Sequence, residues 1–257
     1  MSPEAADLRF FDANCMLGCV IAPRPGFPST VAELLAVMDY FGIAEALVYH
    51  SLSKEYHPAH GNSLLLEEIA GSPRLHAMWV VMPSTTGELP DEEELVAQML
   101  AHNVRAARVF PSVSQHNFSL RPWSAGRLLA ALASRSIPLF VEHEEIDWNT
   151  VHDICEAHPR LPLVLTSVNY RANRFLFPLC QRFPQIHVDL SWYFGHRGIE
   201  DLVERFGAER LLFGTRLPYF TPGAAIGMLS YARISAADKQ RIAGDNLRAL
   251  LQKAGKP

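Results

Sequence analysis

Side chains that can do chemistry recur at one kind of place in this chain, the end of a short apolar run. Pro138-Leu139-Phe140-Val141-Glu142-His143 ends in a carboxylate followed by an imidazole. Either can act as general base towards water. Alternation along a strand would turn only one of the two inward, and a one-residue shift exchanges them. Arg108 lies in Arg105-Ala106-Ala107-Arg108-Val109-Phe110, and Arg216 follows Leu211-Leu212-Phe213-Gly214-Thr215. A guanidinium carries a fixed charge and a fork of donors that grips a carboxylate or steadies an oxyanion. Arg216 could equally pair with Glu142, and Arg108 with an acidic residue on a helix. His50 ends Ala46–Tyr49 and is a third candidate base, or else a loop histidine without a role. Asn14 follows Arg9-Phe10-Phe11-Asp12-Ala13. Ser167, Asn169 and Tyr170 follow Leu163–Thr166, and Ser191 and Trp192 follow Ile186–Leu190. These polar and aromatic groups are expected to line a substrate pocket.

The elements that must position these groups alternate in type. Arg9–Gly18 reads as a first strand running out into a loop, and apolar runs at 46–49, 75–82, 105–110, 138–142, 163–166, 186–190 and 211–213 read as further strands. Amphipathic stretches at 31–41, 62–70, 91–102, 123–134, 149–157, 175–183, 199–206 and 224–232 read as helices. Ser29 or Thr30 can cap the first of these and Gly42 can end it. Strands that are apolar throughout, each followed by a helix, predict a parallel sheet covered on its outer face. Eight such units in one chain of 257 residues predict a closed (β/α)8 TIM barrel, taken as a single domain over 1–257. In such barrels the chemistry sits at the C-terminal ends of the strands, which is where the candidates fall.

Composition narrows the function. The chain is 49% hydrophobic and 19% charged, which suits a soluble globular protein with a large core. A net charge of -4 without a basic block argues against nucleic acid as a partner. No run is long and apolar enough for a membrane span, and the polar Met1–Leu8 has no leader core. Cys15, Cys19, Cys155 and Cys180 form no Cys-x-x-Cys pair, so reduced thiols and a cytoplasmic location are expected. Cys15 should face away from Asn14 and Met16 as a buried structural thiol. No Gly-x-Ser-x-Gly elbow and no Gly-x-Gly-x-x-Gly turn occurs, which removes the usual serine-hydrolase and dinucleotide signatures. His57-Pro58-Ala59-His60 reads as a loop into a helix, and Asp91–Glu94 as a solvated helix start.

Arg9–Gly18 resembles the opening strand of the amidohydrolase-related family of TIM-barrel metal-dependent hydrolases. The strand Leu211–Pro218 and the pair Asp238–Leu251, with its Ile-x-x-x-Asn-x-x-x-Leu spacing, resemble that family's last strand and closing helices. The resemblance implies a divalent metal held by two His of the first strand, a His of the fifth, a His of the sixth and an Asp after the eighth. Here those positions hold Asn14 and Met16, Glu142 with His143 one residue on, Ser167, and Arg216. A guanidinium repels a divalent ion, and a thioether suits soft ions. No tightly bound metal and no cofactor is therefore expected.

Two functions follow as expectations. One is a hydrolase acting without metal on a small, carboxylate-bearing lactone, ester or C–N substrate. Glu142, His143 or His50 would supply the base, and Arg108 and Arg216 would hold the substrate. The other is a barrel that has lost catalysis and serves ligand binding or interaction. A decarboxylase stands behind both, because the family includes decarboxylases. A homodimer remains open.

Overall fold

The computed structural model describes residues 8–256; of the polar stretch Met1–Leu8, residues 1–7 lie outside the described residues. Strand β1 (Phe10–Leu17) pairs in parallel with β2 (Ile43–His50), and β2 with β3 (Leu75–Ala77). A second parallel series runs β4 (Trp79–Val80), β5 (Ala107–Arg108), β6 (Leu139–Glu142), β7 (Leu163–Thr166), β8 (Ile186–Asp189) and β9 (Leu211–Leu212). The third predicted strand, 75–82, is divided into β3 and β4 at Met78. The Met78 amide still donates to Val48 O at 2.8 Å, while Trp79 N turns to Ala106 O at 3.2 Å. The two series are thus joined there. They meet again where Ala13 N donates to Phe213 O and Met16 N to Leu217 O, both at 2.9 Å. The result is a closed TIM barrel of eight strand positions, as the alternation predicts.

Its interior is filled by every second residue. Phe11, Leu47, Tyr49, Met78, Val80, Ala106, Phe110, Phe140, Val164 and Leu212 form one buried cluster inside the strands. Their neighbours Val48, Ala107, Val109, Leu139, Val141, Leu163 and Leu165 join the layer between strands and helices. Cys15 belongs to that outer layer and is buried. Burying both faces of each strand is what makes the runs apolar throughout.

Helices α1 (Val31–Phe41), α2 (Ser51–Glu55), α3 (Pro58–Ile69), α4 (Glu92–Ala101), α5 (Pro122–Ser134) and α6 (Trp148–Ala157) cover the outside. They are followed by α7 (Asn173–Arg182), α8 (Gly198–Phe206), α9 (Pro222–Tyr231), α10 (Ala236–Gln240) and α11 (Asn246–Lys253). Thr30 caps α1 in a reciprocal box with Glu33. The His57–His60 stretch, expected as a loop, is helical from Pro58, because proline at the first helical position is already set for the turn. Asn246, the Asn of the closing-helix spacing, donates to Ala208 O at 2.8 Å and Leu211 O at 2.9 Å, tying α11 to β9. Among the described residues no helix is long and apolar enough to cross a membrane.

Candidate active site

The inward face of β5 reads Ala106, Arg108, Phe110, so the same alternation that buries its neighbours buries a guanidinium. Arg108 is 0% exposed. Its Nη1 donates to Asn14 Oδ1 at 2.9 Å and its Nη2 to Glu142 Oε1 at 3.0 Å. The guanidinium lies over the rings of Tyr49 at 4.6 Å and Phe110 at 5.0 Å, which suits its flat, weakly hydrated faces.

Glu142 shares the inward face of β6 with Phe140, which settles the register between Glu142 and His143. Its second oxygen, Oε2, accepts from Arg216 Nη2 at 3.0 Å. Burial by itself would push the Glu142 carboxyl up, but Arg108 and Arg216 outweigh it and hold it below the usual range. Arg216 is 26% exposed in its side chain and lies over Phe220 at 5.4 Å, on which Trp192 packs at 4.6 Å. Its Nε is buried without a partner, as is Arg108 Nε.

The array continues on the other side of Asn14. Asn14 Nδ2 donates to Asp189 Oδ2 at 2.8 Å and lies 3.5 Å from Ser191 Oγ, which itself donates to Asp189 at 2.7 Å. A line of contacts therefore runs Asp189, Asn14, Arg108, Glu142, Arg216 across the mouth of the barrel. Beneath it Asp12 pins the barrel seam. Its carboxylate accepts from the Thr215 hydroxyl, from Thr215 N at 2.9 Å and from the Cys15 thiol at 3.0 Å. Burial pushes Asp12 and Asp189 up and the Cys15 thiol well up, so Cys15 is no thiolate nucleophile.

Ser167 and Arg216 are non-glycine residues with φ of 57° and 58°, in the left-handed region. Both sit where strands run out into the mouth, and such strain gathers at functional sites. The hydroxyls of Thr166 and Ser167 are buried there without partners.

Of the residues singled out in the sequence, the structure brings Asn14, Arg108, Glu142, Ser191 and Arg216 into direct contact. Trp192 backs the array through Phe220, and Ser167 directly follows β7. His143 leaves the strand on a short turn and rests against the Thr166 and Ser167 backbone. Burial holds its imidazole below its ordinary range. Three candidates lie elsewhere. His50 faces outward: its Nδ1 accepts from Leu52 N at 3.1 Å, capping α2, and its Nε2 lies 3.5 Å from Glu68. Asn169 accepts from Arg171 N at 2.9 Å and caps a short turn. Tyr170 is half exposed and lines a separate outer cleft of about 440 Å³ with Tyr193 and His196. Sequence reasoning passed over Asp189, Lys54 and Glu145. An acid one residue before the end of the run Ile186–Leu190 was the available signal for Asp189. Lys54 lies on the short helix α2 and Glu145 on a turn, and neither carries a local signal.

A divalent ion is what the family resemblance implies, so the donors bear testing against it. Both oxygens of Glu142 and the oxygen of Asn14 already accept from guanidinium groups. No group of three or more His, Cys, Asp or Glu with metal-holding geometry occurs among the described residues. Two fixed cations beside one carboxylate do not fit a divalent cation.

Comparison with known proteins identifies the family and the fold. The amidohydrolase family model matches residues 14–253. An uncharacterised TIM-barrel protein, Bb4693 of Bordetella bronchiseptica, superposes with a TM-score of 0.77 at 17% identity, over 97% of this chain and 100% of that one. A 2,6-dihydroxybenzoate decarboxylase from Rhizobium superposes at 0.73 and 15% identity, over 95% and 99%. The same figures hold for a 2,6-dihydroxybenzoate decarboxylase complexed with 2,6-dihydroxybenzoate. A candidate 2-pyrone-4,6-dicarboxylic acid hydrolase from Pseudomonas putida gives 0.71 and 17%, over 96% and 98%. A search of curated proteins by sequence finds none that matches.

Proposed function

The chain belongs to the amidohydrolase family, and on that premise we propose that it hydrolyses a small carboxylate-bearing ester, lactone or C–N substrate at the C-terminal mouth of its barrel. The observation that carries this reading is the pair of guanidiniums sharing Glu142. Arg108 is sealed and structural, while Arg216 is the member that solvent reaches. Its remaining donors suit a substrate carboxylate or the oxyanion formed on attack.

Glu142 fits poorly as the base, since both oxygens are engaged and its carboxyl is held low. Its part is to fix the two arginines. Glu145 fits better. Burial first, and then the charge of Glu142, push its carboxyl up from the ordinary range. Glu145 takes a proton from water, the hydroxide oxygen adds to the substrate carbonyl carbon, and Arg216 steadies the oxyanion. Collapse breaks the C–O or C–N bond, and the leaving group takes the proton back from Glu145. The likeness to carboxylate-handling enzymes of the same fold supports a carboxylate substrate. It keeps decarboxylation as the alternative reaction.

The close pairing of Arg216 with Glu142 favours one second reading, a barrel that binds carboxylates without turnover. The test measures succinate binding by calorimetry, and turnover on a panel of carboxylated lactones, esters and hydroxybenzoates. Arg216→Met is expected to abolish binding, and Glu145→Gln to abolish turnover while binding persists. Unchanged binding in Arg216→Met removes the proposal. Binding without turnover of any panel member leaves the second reading in its place.

A further inference from the structure

The mouth holds one charged group that the hydrolytic scheme leaves idle. Lys54 sits on α2, the short helix that follows β2, with Nζ over the Phe110 ring at 4.9 Å. Arg108 covers the same ring at 5.0 Å. One aromatic ring therefore faces both an ammonium and a guanidinium that is already buried and fixed. Among the described residues no carboxylate comes within ion-pairing distance of Nζ.

Helix α2 is held firmly. His50 caps it, His116 Nε2 lies 2.9 Å from Lys54 O, and Ser53 donates to Asn62 at 3.1 Å. Helix α3 packs on it so closely that a Cβ at Gly61 would lie 2.2 Å from Ser53 N. His116 also lines a cleft of about 590 Å³ beside the mouth, between the loops that follow β4 and β5. The side chain of Lys54 is thus presented from a rigid support, over the ring that Arg108 also covers.

Composition sharpens the point. The chain has nineteen arginines but four lysines, and the other three, Lys239, Lys253 and Lys256, all come near the C-terminus. Where the chain needs a permanent cation it uses arginine. A lysine differs in one chemical respect: its amine can lose a proton and become a nucleophile. Burial pulls the Lys54 amine below its ordinary range, and Arg108 and Arg216 pull the same way against Glu142 and Glu145. Neighbouring cations and partial burial are the conditions that activate an amine.

We propose that Lys54 is an amine nucleophile that captures 2-oxo acids as an imine at this mouth. The inference rests on the mouth being a carboxylate site. A 2-oxo acid places its carbonyl on the carbon next to the carboxylate, so Arg216 holds the acid while Lys54 reaches the carbonyl. The amine lone pair forms the C–N bond, and the carbonyl π pair moves to oxygen, which takes a proton. Nitrogen gives up a proton to solvent. The hydroxyl then leaves as water with a proton from the Glu145 carboxyl, and the nitrogen lone pair closes the C=N bond. Nothing is oxidised or reduced, and water is the one by-product.

The test incubates the full chain with pyruvate, reduces with sodium borohydride and maps the adduct by peptide mass spectrometry. With three other lysines to compare, the assignment is direct. One reduced adduct on Lys54 is expected, and its loss in Lys54→Arg, which keeps the cation but cannot form an imine. Should Lys54→Arg lose the native circular dichroism, Lys54→Gln takes its place. Thermal shift with succinate runs in parallel on each protein. A succinate shift with no adduct, or an adduct spread over the other lysines and indifferent to Lys54→Arg, overturns the imine proposal alone. No shift with either succinate or pyruvate overturns the carboxylate site and the imine together.

Discussion

Replacing Glu142 by Gln probes the whole array at once. In the native protein Glu142 is the ion-pair partner of a fully buried Arg108 and of a partly exposed Arg216. Glutamine keeps the shape but removes the charge, and its amide turns an N–H group towards one of the two guanidiniums. Arg216 is 26% exposed in its side chain and can turn to water, so its loss is small. Arg108 is 0% exposed and has nowhere to turn. Stranding a buried charge costs about 3–5 kcal/mol. At roughly 2–4 °C per kcal/mol for a chain of this size, the melting temperature should fall by roughly 6–20 °C. Truncation in Glu142→Ala strands the same charges and also opens a vacancy, which makes a test specific to the mechanism. Two guanidiniums released from Glu142 should accept a small carboxylate, so acetate ought to restore stability to the variant. At about one hundred times its dissociation constant acetate would return roughly 2.7 kcal/mol. The assay is urea unfolding followed by tryptophan fluorescence at pH 7, with acetate or chloride at equal ionic strength. Recovery with acetate but not chloride, and a much smaller effect on the wild type, is the expected result. A variant within about 0.5 kcal/mol of wild type would refute the buried-pair argument. Equal recovery with chloride would refute the carboxylate-shaped vacancy.

The depressed Glu142 carboxyl also makes a pH signature. Its contribution is fully present above the ordinary glutamate value of 4.5 and is lost as pH falls through the lower folded value. The wild-type and Glu142→Gln stability curves should therefore converge in strong acid, and curves that stay parallel would count against the pairing. Gly214→Ala should cost about 1–3 kcal/mol by melting, because its Cβ would lie 2.0 Å from Asp189 Oδ1, a carboxylate already pinned by Ser191. An unchanged melting temperature would show that Asp189 can move freely. Elemental analysis of purified protein should find substoichiometric zinc, manganese and iron, since the donors at the mouth are engaged with guanidiniums. One tightly held ion per chain would show the donor argument wrong.

Much of the architecture was legible along the chain because a barrel strand buries both faces and a helix one. Those two periods are local properties of sequence. The apolar runs, the amphipathic stretches and their alternation predict the barrel, and the pattern Ala106, Arg108, Phe110 turns an arginine inward. Local pattern stops at the choice between Glu142 and His143, since two neighbours on a strand differ only in which face the sheet happens to bury. Packing decided it, by placing Glu142 beside Phe140 inside the barrel. The same alternation, Leu47 and Tyr49 inward with Val48 and His50 outward, could have set His50 aside as the cap of α2. Asp189 was hidden because an acid at a strand end reads the same whether it faces water or Asn14. Lys54 and Glu145 were hidden because one lies on a helix of five residues and the other on a turn, both too short for a period to say which way a side chain points. The contacts that give these groups meaning join residues far apart in the chain: Asn14 to Asp189, Arg108 to Asn14, Arg216 to Glu142. Residue types and strand ends are written locally, but closing the barrel brings eight strand ends into one ring. Only that closure sets which charges meet, and in the dry interior of the ring each charge must find its partner there.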